Sequence, residues 1–157
     1  MTKRFSEIAN RGKFYGKYAK KMSLKSPNNA IASAILRQPT VQESSLIKKL
    51  NQKGIQFKFH GLIETPRKFV VDFVLPSEQN PKIVLELKDF KTNYNKRSTA
   101  VELAYRAIKI HQKYPQIKMI AVLDGNIQQD ALRIIREEYN KVLLNPAFQE
   151  IENAINL

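Results

Sequence analysis

No cysteine occurs among the 157 residues, which removes disulfide frameworks, thiolate metal sites and cysteine nucleophiles together. Only two histidines are present, His60 and His111, too few for a histidine-built zinc centre. Long apolar runs are missing as well. The N-terminal stretch MTKRFSEIANRGKF has no apolar segment behind its charges and does not read as a secretory signal. No stretch approaches the ~20 apolar residues of a membrane span. A soluble, cytoplasmic protein without a membrane partner is therefore expected. An apolar content of 43% is ordinary for a globular chain, so a single domain with a real core can form.

Negative charge is the other shortage. Fourteen acidic residues face 27 Lys and Arg, a net charge of +13. The excess is uneven. Residues 1–38 hold nine basic side chains and one acid, Glu7, whereas the remainder carries 18 basic and 13 acidic residues. Such a balance points to a polyanion partner, because neutralising phosphates releases counterions and supplies affinity without regard to base sequence. A lysine-rich solvated surface is the plainer explanation of the same numbers. No basic amphipathic helix with large apolar anchors argues for a membrane surface.

The chain divides into a basic N-terminal arm or small helical subdomain, 1–38, and a domain, 39–157. In the arm, Phe14, Tyr15 and Tyr18 interleave with Lys13, Lys17, Lys20 and Lys21. That pattern suits a surface that grips a phosphate backbone and stacks on bases, though the aromatics could equally anchor the arm to the core. A short helix over Ala30–Leu36 follows the Ser26-Pro27-Asn28-Asn29 break. From Thr40, a Thr-x-x-Glu capping box opens a helix that Gly54 ends, with Val41, Leu46, Ile47 and Leu50 at helical spacing. Strands are expected over Ile55–Ile63, Lys68–Leu75 and Lys82–Phe90, the last two joined by the polar turn Pro76–Pro81. Then come a helix over Ser98–His111, a buried strand Ile117–Leu123, a helix near Gln128–Tyr139, a short strand Val142–Leu144 and a closing helix Phe148–Ile155. Three consecutive strands favour an antiparallel meander to which the next strand adds in parallel. The fold class is α/β, a mixed central sheet flanked by helices on both faces.

Chemistry concentrates on two strands. Residues two apart on a strand share a face, so Val84, Glu86 and Lys88 point one way and Ile83, Leu85 and Leu87 the other. A carboxylate and an ammonium inside an apolar strand cost free energy unless they are paired or used. Asp72 interrupts Phe69–Leu75 in the same way. If the two strands pair across the turn, Asp72 and Glu86 converge, and two hard carboxylates suit Mg²⁺ or, in its place, Mn²⁺. A metal there can activate water and steady the leaving oxygen of a phosphodiester, with Lys88 beside it to orient the water and offset phosphate charge. A buried acid–base pair that merely closes the sheet is the ordinary alternative.

Asp72, a turn and then Glu86-Leu87-Lys88 resemble the PD-(D/E)XK nuclease superfamily, with a restriction endonuclease-like αβββαβ core. The resemblance covers roughly Thr40 to Asp124. QESSLIKKLNQKGIQF, FVVDFVLP and IVLELKDF are most similar in character to phage junction-resolving endonucleases, and also to small restriction-like and transposition nucleases. It implies that Asp72 and Glu86 ligate metal, that Lys88 assists catalysis, and that Glu43, an acid of the first helix before Gly54, completes the metal shell. Val71 stands where the superfamily's name has proline. Glu43 also has an ordinary role as the capping-box glutamate.

Other polar residues carry less. His60 falls with Gln56 and Lys58 on what reads as a solvated or substrate-facing polar strand edge rather than as a general base. Lys91, Lys96 and Arg97 follow the Glu86–Lys88 strand, where substrate phosphates could pass, and Tyr105, Arg106 and Lys109 form a polar helix face. Asp124 is explained by the turn it makes with Gly125. The expected activity is Mg²⁺-dependent DNA endonuclease, either site-specific, as in restriction or homing, or structure-specific. A homodimer supplies two symmetric sites for two strands. A non-catalytic nucleic-acid-binding module of the same fold is the alternative, and a basic RNA- or ribosome-associated protein would leave the strand acids without purpose.

Overall fold

Thr40 caps the helix that opens the unit from Gln38 onward. Its hydroxyl accepts the Glu43 N–H at 3.2 Å, and Glu43 Oε1 accepts the Thr40 N–H at 3.0 Å. This reciprocal box satisfies two N–H groups that a helix start leaves without partners. The computed structural model describes residues 37–91 and 96–156, together with Ile31, Ser33 and Ala34. Lys13, Lys17, Lys20 and Lys21 lie outside the described residues. Of the expected helix at Ala30–Leu36, the three described positions are helical.

From Gln38 onward the chain forms one compact unit. Its elements are α1 (Val41–Gln52), β1 (Lys58–Glu64), β2 (Lys68–Pro76), β3 (Pro81–Asp89), α2 (Lys96–Lys113), β4 (Lys118–Asp124), α3 (Gln129–Glu138), β5 (Lys141–Leu144) and α4 (Phe148–Ile155). Gly54, at φ +67°, turns the chain out of α1. The five strands make one sheet in the order β1-β2-β3-β4-β5. β1, β2 and β3 pair antiparallel, and β4 and β5 add in parallel. The fold is therefore α/β with a mixed sheet, as the sequence leads one to expect.

Strand alternation splits the core into two layers. On one face, Phe73, Leu75, Leu85, Ile120, Val122 and Leu143 pack against Leu46 and Leu50 of α1 and Ile151 and Ala154 of α4. The opposite face carries Val74, Val84, Met119 and Ala121, all buried, and lies under α2 and α3. A hydrogen bond from Tyr139 Oη, just past α3, to the Leu103 carbonyl of α2 ties those two helices. β1 starts at Lys58, three residues later than periodicity indicates. Ile55 and Phe57 pack against the α1-side core, so their burial gives the alternating look of a strand without a ladder partner. Gly61 in β1 is a close approach: a Cβ there would sit 2.4 Å from Val74 Cγ2.

Candidate metal centre

Two registers define the site. β2 and β3 are in register through Phe73–Leu85, Val74–Val84 and Leu75–Ile83, which brings Asp72 opposite Glu86. β1 and β2 are in register through Phe59–Phe73 and Gly61–Val71, which brings His60 opposite Asp72 from the other side. Three polar residues on three adjacent strands thus form a row across the sheet, with Asp72 in the middle.

The paired residues of β2 and β3 stop at Phe73–Leu85, and side chains take over beyond. Leu87 N–H donates to Asp72 Oδ2 at 2.7 Å, and Asp72 N–H donates to Glu86 Oε2 at 3.3 Å. The strands fork here, and carboxylates replace carbonyls as acceptors. A sheet interior seldom leaves N–H groups without partners, so the fork is stable only because the acids stand where they do.

Burial raises the Asp72 carboxyl from 3.8 to about 8; the Glu86 charge is the next cause, and Glu43 adds to it, while the Leu87 N–H works against them. Glu86 is 3% exposed and is held from below by α2, where Arg106 Nε donates to its Oε1 at 3.0 Å. The same guanidinium donates to the Val70 carbonyl of β2 and lies over the Phe69 ring, 5.7 Å from its centroid. Burial alone would lower the Arg106 pKa, but Glu86, Tyr139 and Asp72 outweigh it and raise it further.

Glu43 reaches the row from α1. It is 3% exposed; Oε1 serves the cap, and Oε2 lies 3.4 Å from His60 Nε2. The capping role and the site role are therefore not in competition, since each uses a different oxygen. His60 is also 3% exposed, stacked on Phe59 at 3.7 Å between centroids. It is not the solvated edge that its strand periodicity indicates. Its backbone is left-handed, φ +51°, a conformation that costs an ordinary L-residue about 1–2 kcal/mol. That local turn interrupts the strand alternation on which the polar-edge reading rested.

One donor atom from each of Glu43, His60 and Asp72 lies within 4.8 Å of the other two, a spacing at which three side chains can share one cation. Two carboxylates and an imidazole are a chemically sound ligand set for a divalent ion. Of the residues expected at a metal, Asp72 and Glu43 belong to this group; Glu86 stands outside it, next to Asp72 and paired with Arg106. Lys88 follows Glu86 on the same face of β3, half-buried, in register with Leu123 of β4.

The expected phosphate contacts divide. Lys91 is exposed, and its N–H donates to Asp89 Oδ1 at 2.8 Å. Lys96 Nζ donates to the Asn126 carbonyl at 2.9 Å, so its charge is already engaged in tying α2 to the loop after β4. Arg97 is exposed on the first turn of α2. Asp124 does more than turn the chain, since it accepts a hydrogen bond from the Gln42 side chain in the first turn of α1. Its pKa is raised by partial burial and by Asp89 beside it.

Sequence reasoning puts His60 on a polar strand edge and gives Arg106 only a place on a polar helix face. The available signal for Arg106 was its place at i+3 from Leu103 and i−4 from Ile110, on the buried stripe of α2. For His60, the signal appears only once the Phe59–Phe73 register is known. Compared with known proteins, the chain matches no family model, no curated protein and no solved structure. Among the described residues, no helix is long and apolar enough to cross a membrane.

Proposed function

We propose that this chain is a divalent-metal-dependent DNA endonuclease with a restriction endonuclease-like core. The observation that carries the reading is that Asp72 and Glu86 meet at the β2–β3 fork, with Glu43 of α1 offering an oxygen within 4.8 Å of an Asp72 donor and Lys88 next along the Glu86 face of β3. The element order α1-β1-β2-β3-α2-β4 supports it, as does the net charge of +13. Asp72 and Glu43 would hold the ion, with Glu86 closing the shell. Mg²⁺, or Mn²⁺ in its place, would supply Lewis-acid stabilisation of charge at the phosphodiester and activation of the attacking water.

The chain's own residues perform the rest. Lys88 orients the attacking water by hydrogen bonding and sets a positive charge against the phosphate. Glu86 and Asp72 are stationary acceptors, fixed by Arg106 and by the Leu87 N–H, and this preorganisation means little rearrangement accompanies the reaction. Lys91, Arg97 and the basic arm with Lys13, Lys17, Lys20 and Lys21 retain the DNA backbone, while Lys96 ties α2 to the loop after β4. A homodimer would bring two such sites to the two strands.

The test is cleavage of supercoiled plasmid, linear duplex and four-way junction DNA with Mg²⁺ or Mn²⁺. Wild type cuts at least one of them, and Lys88→Ala or Asp72→Ala lowers the rate by about 10²–10³-fold. Inert wild type, or variants that cut as well as wild type does, would refute the assignment. The substrate cut separates site-specific from junction-resolving cleavage. A second reading, a DNA-binding module without hydrolysis, draws on the Arg106–Glu86 pair, which already gives Glu86 a structural partner. Such a module binds DNA equally well in EDTA and in Mg²⁺.

A further inference from the structure

We propose that His60 is a metal ligand and that its imidazole makes this centre select Mn²⁺ over Mg²⁺. The inference deepens the metal-centre reading above and does not depend on what the centre cuts. It starts from placement. His60 stands opposite Asp72 in the β1–β2 register, its Nε2 is 3.4 Å from Glu43 Oε2, and the three side chains offer donor atoms within 4.8 Å of one another.

The row across the sheet holds a further acid, Glu86, which accepts from Arg106 and from the Asp72 N–H and lies outside this group of three. Within the group, the donor beside the two carboxylates is a nitrogen. This changes which ion fits. Mg²⁺ prefers an octahedron of oxygens and keeps several waters. Imidazole suits first-row transition ions; carboxylates suit Mg²⁺ and Mn²⁺ alike, but Mn²⁺ opens the first-row affinity series for mixed nitrogen and oxygen sites, to which Mg²⁺ does not belong. An ion-binding imidazole must also be held in position, because a freely rotating ring loses entropy on binding. The Phe59 ring stacked at 3.7 Å supplies that restraint, as does burial to 3% exposure.

The other histidine is no competitor. His111 Nε2 is engaged by the Ile117 carbonyl at 2.9 Å and by Asn140 Oδ1 at 3.0 Å. The His111→Gln variant therefore serves as the control that assigns an imidazole nitrogen on a bound ion to His60.

The experiment uses all 157 residues, and metal binding is read without DNA. Mn²⁺ and Mg²⁺ are titrated into wild type and His60→Gln by calorimetry, with folding of each checked by circular dichroism. Wild type binds Mn²⁺ at least tenfold more tightly than Mg²⁺, and His60→Gln weakens Mn²⁺ binding by tenfold or more while moving Mg²⁺ binding less than threefold. Equal loss of both ions, or unchanged Mn²⁺ binding in a folded His60→Gln, overturns the proposal. Should that variant fail to fold, pulsed EPR of Mn²⁺ bound to wild type decides, since an imidazole ¹⁴N coupling that persists in His111→Gln is required and its absence refutes the role. DNA cleavage without ¹⁴N coupling would leave the nuclease reading intact and remove this one. Coupling without cleavage on any substrate would do the reverse.

Discussion

Asp72 is the residue at which burial and charge conflict most sharply. Its carboxyl is raised to about 8, first by burial and then by Glu86, so the folded state binds that proton far more tightly than the unfolded chain does. The stability this proton contributes is complete below about pH 4, the ordinary carboxylate value. It declines as the unfolded chain ionises, and it is gone once pH has risen through about 8. In EDTA, wild type should therefore lose stability across that window relative to Asp72→Asn, which cannot ionise. At pH 8 the Asn variant should be more stable by about 1–3 kcal/mol, and near pH 4 the two should converge. Thermal unfolding against pH checks this, and parallel curves for the two proteins would contradict it. A bound divalent ion should erase the difference for wild type alone, because a metal replaces the proton as the charge partner.

The element that sets the site is the fork between β2 and β3, and α2 holds it open. Arg106 reaches β3 through Glu86 and β2 through the Val70 carbonyl, so one guanidinium bridges two strands that no longer share a ladder. Removing it leaves Glu86 buried and unpaired, and Arg106→Met should cost about 3–5 kcal/mol in urea unfolding. Lysine offers a single ammonium and cannot span both acceptors, so Arg106→Lys should recover only part of that. The double variant Arg106→Met with Glu86→Met should regain most of the stability while Mn²⁺ binding stays impaired; additive losses in the cycle would show that the two residues do not act together. The elements themselves were largely readable. α1 announced itself through its capping box, and β2 and β3 through single acids in apolar runs. β1 was misjudged at both ends of its argument, since Ile55 and Phe57 are core contacts outside the ladder and His60 turns left-handed. Neither effect leaves a trace in the alternation of residues.

For the whole molecule, charge is the property to test. With +13 overall and nine of the basic residues within the first 38, DNA affinity should fall steeply with salt. Every lysine that neutralises a phosphate steepens the dependence of log affinity on log salt by about 0.9. Replacing Lys13, Lys17, Lys20 and Lys21 with Gln should therefore reduce that slope by about 3–4 if all four meet phosphates. An unchanged slope would mark them as solvated side chains. Composition and local pattern by themselves determined the α/β class, the order of elements, the positive charge and the candidacy of Asp72, Glu86 and Lys88, to which the family resemblance added Glu43. All of these depend on residues near one another in the chain, on side-chain alternation, helical spacing and capping. Only the tertiary structure decided that His60 stands opposite Asp72, that Arg106 clamps Glu86, and that Glu43 divides its oxygens between a helix cap and the site. Those facts depend on strand register and on the approach of α1 and α2 to the sheet. Packing between residues far apart in the chain sets both, and no local pattern encodes it.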